Sequence, residues 1–210
     1  MRTAGLLVVL GAIAGALAGQ VPASSPPTAS SPSDVPRREH RRLPGEADGA
    51  ARRSEHRGRL GEADGAVPAG TTVFDDDVPG VAKLDPALLR ALRRAATDAA
   101  DDGVEFVVDS GWRSPEYQEH LLHEAVLKYG SEAEAARWVA SPRTSAHVSG
   151  DAVDIGPADA TPWLAAHGAE YGLCRIYGNE PWHFELRPEA VDHGCPAMYA
   201  DPTQDPRMRR

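Results

Sequence analysis

Most of the stretch from residue 19 to residue 67 can bury nothing, and this confines any fold to the chain that follows. Val21 to Pro36 reads VPASSPPTASSPSDVP, rich in Pro, Ser and Ala with no large apolar side chain. Such a segment cannot hide enough apolar surface to offset the entropy of ordering it. A near-repeat comes next, EHRRLPGEADGA from Glu39 and EHRGRLGEADGA from Glu55. Two short polar copies are too few to stack into a solenoid. They read as a mixed-charge tether, with a secondary reading as an arginine-bearing contact for an anionic wall polymer.

Ahead of the tether, Met1-Arg2 leads into AGLLVVLGAIAGALA, which closes on Ala16-Leu17-Ala18. An apolar run of roughly 15 residues is short for a bilayer span, and the small-x-small ending fits a cleavage site. The expected organisation is a signal peptide over 1–18, a tether over 19–67 and one domain over 68–210. No cysteine follows the apolar run, which argues against a lipoprotein anchor. The expectation is an exported, cell-wall-associated monomer with no stable membrane span in its mature form. The formal net charge of −9 falls almost wholly on the domain. An acidic domain is a poor partner for nucleic acid, since phosphate binding needs clustered Lys and Arg.

Within the domain, Asp85-Pro86 caps a helix whose apolar face runs through Leu88, Leu89, Leu92, Ala95, Ala96 and Ala99, and Gly103 ends it. Val104–Val108 reads as a strand ending at SGWRS. Ser114-Pro115 opens a second helix that carries Leu121, Leu122, Ala125 and Val126 and stops near Gly130. Ser131 and Glu134 form a capping box for a third. Short strands follow around Ala152–Ile155, Cys174–Tyr177 and Trp182–Leu186, with a helix opened by Thr161-Pro162 between the first two. Helices first and strands late predict an α+β fold, a small and mostly antiparallel sheet flanked by helices.

Cys174 and Cys195 are the two cysteines. In an exported chain such a pair is expected to form a disulfide; without suitably spaced histidines it makes a poor zinc set. The loop it closes contains NEPWHFE.

Two segments carry candidate chemistry. SAHVSGDAVDIG, from Ser145, sets His147 and Asp154 seven residues apart, and Glu180 precedes His183 by three. Catalytic zinc takes three protein ligands and keeps a fourth position open. His147, Asp154 and His183 would supply two neutral imidazoles and one carboxylate, leaving a bound zinc net positive and able to acidify a water. Glu180 would be the general base. Residues three apart on a strand point to opposite faces, so Glu180 belongs to the turn before the strand, where Pro181 pins the approach. Each histidine alone is more often structural than catalytic; the joint pattern is what points to a metal. Arg113, at the end of an apolar strand and before a capped helix, can grip a carboxylate or oxyanion, or else pair with Glu116 at the surface. His123-Glu124 begins like a helical zinc motif, but Leu127 stands where its second histidine must be.

Ser145-Ala146-His147-Val148-Ser149-Gly150-Asp151-Ala152-Val153-Asp154 followed by Glu180 to His183 resembles the VanY-type D-alanyl-D-alanine carboxypeptidase family, and SGWRSPEYQ resembles that family's arginine segment. The resemblance runs from about Val73 to Tyr199. It implies the small zinc-peptidase fold shared with Hedgehog signalling domains and a zinc peptidase releasing terminal D-alanine from peptidoglycan stem peptides. It further implies Zn2+ held by His147, Asp154 and His183, Glu180 as base, Arg113 on the oxyanion or substrate carboxylate, and Gln118 and Ser145 lining the substrate site. Trp112 stands where relatives often carry tyrosine. A D-Ala-D-Ala dipeptidase, an endopeptidase of the same chemistry and an inactive wall-binding module are the alternatives. Glu180 and Arg113 argue against the last, because a binder needs no base beside its metal.

Overall fold

The computed structural model describes residues 60–157 and 159–209. The expected signal peptide and the tether before Leu60 lie outside the described residues. Three helices longer than one turn and four short strands make up the frame: α1 (Pro86–Asp101), β1 (Val107–Ser110), α2 (Pro115–Tyr129), β2 (Ala152–Gly156), α3 (Ala160–His167), β3 (Leu173–Arg175) and β4 (His183–Leu186).

Helix α1 forms as its sequence dictates. The Asp85 carboxylate accepts hydrogen bonds from the backbone N–H of Ala87 (2.8 Å) and Leu88 (3.0 Å), satisfying two donors that have no partner inside the helix. Leu88, Ala91, Leu92, Ala95, Ala96 and Ala99 are buried along one stripe, the spacing of a single helical face. Leu89, expected on that face, is only half-buried at its edge.

The four strands form one antiparallel sheet in the order β1-β2-β4-β3, the α+β architecture expected. Its first strand starts three residues later than predicted. Val104 turns its N–H back to the carbonyl of Ala99 (2.9 Å) and Phe106 is buried in the core, so the apolar run at Val104 finishes α1 before pairing begins. Only from Val107, opposite Gly156, does β2 offer a partner.

Alternation along the strands divides the sheet's two faces. Val108, Val153, Ile155 and Phe184 join the α1 stripe in the main core. The residues between them, Asp154 on β2 and His183 and Glu185 on β4, point to the opposite face. The register sets Asp154 directly across from His183, and Ala152 across from Glu185. One sheet thus carries core and chemistry back to back.

Helix α2 starts as predicted, with Ser114 Oγ accepting from Tyr117 N–H at 3.1 Å, and ends at Gly130. Its expected apolar face is shallower, since only Gln118 and Ala125 are buried. The capping box at Ser131 is half-formed. Ser131 Oγ accepts from Glu134 N–H, but the Glu134 carboxylate pairs with Arg137 (3.3 Å), and the helix is a single turn, Glu132–Ala135.

Two peripheral segments complete the unit. Residues 60–67, the end of the second repeat copy and the valine after it, are seated against the loop before α2 although they fall in the expected tether. Ser114 N–H donates to the Asp64 carbonyl at 2.8 Å. Gly65, at φ 103°, lies so close that a Cβ there would meet the Trp112 carbonyl oxygen at 2.1 Å, a site for glycine alone. At the other end, Cys174 and Cys195 are disulfide-bonded as predicted, and the tail beyond them folds back through two short 3-10 turns, Pro202–Gln204 and Pro206–Arg209.

Candidate active site

His147 sits on a one-turn helix, Ala146–Ser149, closed by Gly150 at φ 80°. A Cβ on Gly150 would stand 2.6 Å from the Lys83 carbonyl oxygen, so this glycine lets the turn press against the segment before α1. The turn aims the imidazole at the sheet. Its Nδ1 lies 2.8 Å from the carbonyl oxygen of Gly111. A carbonyl only accepts, so Nδ1 carries the proton and Nε2 presents its lone pair inward.

His183 is fixed in the mirror sense. Its Nε2 lies 3.2 Å from Glu185 Oε1. Glu185 is 1% exposed and held by Arg187 and Arg207. Burial disfavours its charge, but His183 and Arg207 outweigh that and keep it far below the usual carboxylate range. It therefore accepts, and Nδ1 of His183 is left facing Asp154 Oδ1 at 3.2 Å and His147 Nε2 at 3.3 Å. One donor atom from each of His147, Asp154 and His183 lies within 4.8 Å of the others, and all three residues are buried.

Two nitrogen lone pairs and a carboxylate oxygen converging in a buried space call for a cation between them. The titration of the cluster reflects the same field. Burial alone would hold His183 down, yet hydrogen bonds to Asp154 and Glu185 raise it to about 9, so that a second proton takes the place on Nδ1, facing Asp154, from which a bound cation would displace it. His147 is lowered by its burial and by the Arg113 charge. Asp154 falls well below the ordinary range, because His147, His183 and Arg113 overcome the cost of burying it. The donor set fits a divalent ion of the kind that imidazole and carboxylate share.

Glu180 sits in the turn ahead of β4, as predicted, with its carbonyl accepting from His183 N–H at 3.2 Å. Its carboxylate Oε2 is 3.8 Å from His183 Nδ1, while Oε1 is buried without a hydrogen-bond partner among the described residues. Burial pushes this carboxyl up to about 7.

Arg113 is not the surface residue of the alternative reading. Its Nε donates to Ser110 Oγ (2.7 Å), one terminal nitrogen to Gln118 Oε1 (3.1 Å) and the other to Asp154 Oδ2 (2.9 Å). Gln118, 1% exposed, donates from its own nitrogen to the Ala140 carbonyl at 2.8 Å. Both ends of Gln118 are therefore committed. Ser145 lines the cleft and its hydroxyl makes no hydrogen bond among the described residues. Trp138, Tyr177 and Met208 line the same cleft.

Sequence reading missed Tyr177, Glu185, Asp205 and Arg207 as members of this network. The strand period could have found Glu185, two residues from His183 and so on the same face. Nothing local marks Arg207 in the PRMRR tail. Trp182, beside the site, is 40% exposed.

Comparison with known proteins places the chain in a family. A family model described as VanY, D-alanyl-D-alanine carboxypeptidase, matches residues 81–189. A D-alanyl-D-alanine carboxypeptidase from Enterococcus faecalis (strain ATCC 700802 / V583) is 34% identical over 111 residues, covering 41% of this chain and 41% of that protein. The chain thus spans about two fifths of the curated relative it matches. Among solved structures, VanYB in complex with D-alanine-D-alanine is 29% identical with a TM-score of 0.49, over 53% of this chain and 74% of that one. A variant of the vancomycin-resistance D,D-pentapeptidase VanY from a VanB-type cassette, in complex with Zn(II), is 30% identical with a TM-score of 0.47, over 49% and 72%. With the family model matching more than half of its length, the chain belongs to the VanY D-alanyl-D-alanine carboxypeptidase family.

Proposed function

We propose that this protein is a zinc-dependent D,D-carboxypeptidase that removes the terminal D-alanine from peptidoglycan stem peptides outside the cell. The observation that carries the reading is the convergence of the lone pairs of His147 and His183 on Asp154, with the unpartnered Glu180 carboxylate oxygen beside them. His147, Asp154 and His183 would hold the ion. Zinc in such a site supplies a Lewis acid and an acidified water.

The remaining roles belong to the chain's own groups. Glu180, with a carboxyl near neutrality, is suited to take a proton at one step and return it to the leaving amine at another. Its free Oε1 is the atom available for that transfer. Arg113 is preorganised by Ser110, Gln118 and Asp154, which occupy three of its five N–H groups. The other two are left for a substrate carboxylate or a developing oxyanion. Gln118 acts through Arg113, since both its polar ends are already used. Ser145 offers its hydroxyl to the bound peptide.

Mass spectrometry of muropeptides incubated with the zinc-loaded protein tests this reading. Loss of one alanine from each pentapeptide is the expected result. Release of a dipeptide, or a cut within the stem or cross-bridge, would reassign the substrate within the same chemistry. An unchanged muropeptide profile would leave a wall-binding module.

A further inference from the structure

Residues 190–209 lie beyond the stretch that the family model matches, yet the tail reaches the site from behind. Arg207 grips both oxygens of Glu185, one terminal nitrogen on Oε2 at 2.6 Å and the other on Oε1 at 3.1 Å. Oε1 is the oxygen that His183 Nε2 faces. Arg187, the nearer arginine in sequence, reaches Oε2 alone, at 2.6 Å. Arg207 is held in turn. Its Nε lies 2.9 Å and its nearer terminal nitrogen 2.5 Å from Asp205 Oδ2, and Tyr177 donates to the same carboxylate at 3.0 Å.

We infer that Arg207 is a positioning residue for the metal site: its fork fixes Glu185, and Glu185 fixes the proton of His183 on Nε2, so that Nδ1 faces His147 and Asp154. A neutral imidazole can carry its proton on either nitrogen, and the partner of one decides what the other can do. A carboxylate left to rotate would hold that choice less firmly. Bidentate geometry from an arginine removes the rotation, which a single contact from Arg187 does not. This inference rests on His183 being a ligand, as proposed above.

Zinc affinity of the full chain, read by competition with a chromophoric chelator, tests it. Arg207→Gln should weaken zinc binding about 10- to 100-fold, as loss of an outer partner of a ligating histidine does. Arg207→Lys, which keeps the charge but cannot span two oxygens, should fall between. Combining Arg207→Gln with Glu185→Gln should cost no more than the worse single change, because both act along one route. Arg137→Ala, which frees the tail's other ion pair to Asp201 without touching Glu185, should leave zinc affinity as it is. Wild-type affinity in folded Arg207→Gln overturns the inference, as does an equal loss in Arg137→Ala. Should Arg207→Gln fail to fold, wild-type affinity in Arg207→Lys overturns it. If the wild type takes up no zinc, the metal reading fails instead. The positioning inference is then decided by nitrogen-15 spectra of the metal-free protein. His183 Nε2–H should appear as a slowly exchanging signal in the wild type and be lost or shifted in Arg207→Lys; an unchanged signal overturns the inference.

Discussion

Asp154 and His183 are direct partners across β2 and β4, and the same Asp154 carboxylate receives Arg113 through its second oxygen. One side chain therefore serves both the proposed metal and the proposed anion clamp. Asp154→Ala should release zinc on dialysis, while Asp151→Ala, removing an exposed carboxylate whose one side-chain hydrogen bond among the described residues is from Ser149, should not. Metal content by mass spectrometry decides this, and equal zinc in Asp154→Ala and wild type would remove Asp154 from the ligand set.

Glu180→Gln keeps the shape of the side chain and loses the carboxylate. The variant should fold and retain zinc, with turnover down roughly a hundredfold or more. Near-normal turnover would move the proton elsewhere. Loss of zinc would make Glu180 a ligand.

Phe184 is fully buried beside His183 but faces the core. Phe184→Ala should cost about 3–5 kcal/mol in denaturant unfolding, through lost transfer energy and the cavity left behind. A loss under about 1 kcal/mol would mean that the core collapses onto the gap.

Acid should loosen the tail. Asp201 and Asp205 both titrate below their ordinary value: burial opposes this, but for Asp201 the bonds from Thr203 and Arg137 outweigh it, and for Asp205 those from Arg207. A carboxylate whose folded pKa is depressed contributes stability that is complete above its unfolded pKa of about 3.9 and is lost as pH falls through the folded one. Asp205→Asn should therefore flatten the fall in melting temperature below about pH 4. An acid limb as steep as the wild type's would clear Asp205 of this role.

The disulfide closes a separation of 21 residues around Glu180 and His183. Its removal should cost about 3 kcal/mol in the chain-entropy model, seen as a lower melting temperature on reduction. Two native thiols labelled without reductant would contradict the pairing.

How much of this was legible depended on how far apart the partners lie. His147 and Asp154 share one short segment, and Glu180 and His183 another, so spacing and chemistry were visible together. The Asp85 and Ser114 caps are equally local. Arg207 and Glu185 are 22 residues apart and Tyr177 and Asp205 28, joined by a tail without periodicity, and no local rule brings them together. The start of β1 was misplaced because an apolar run says what is buried but not where a ladder partner begins. The reach of the tether was overestimated because the second GEADGA hexapeptide docks through glycine geometry and backbone hydrogen bonds, which hydropathy does not register.

That docking moves the place where the protein can be shortened. A version beginning at Val73, where the apolar pattern starts, would lack the Asp64 carbonyl that receives Ser114 N–H and the glycine that packs on Trp112. Both contacts brace the residues on either side of the Arg113 guanidinium. A shortened version that keeps these contacts accordingly begins inside the second repeat, at or before Leu60. Within the second repeat, residues 61–66 are thus a wall of the folded unit rather than a spacer before it.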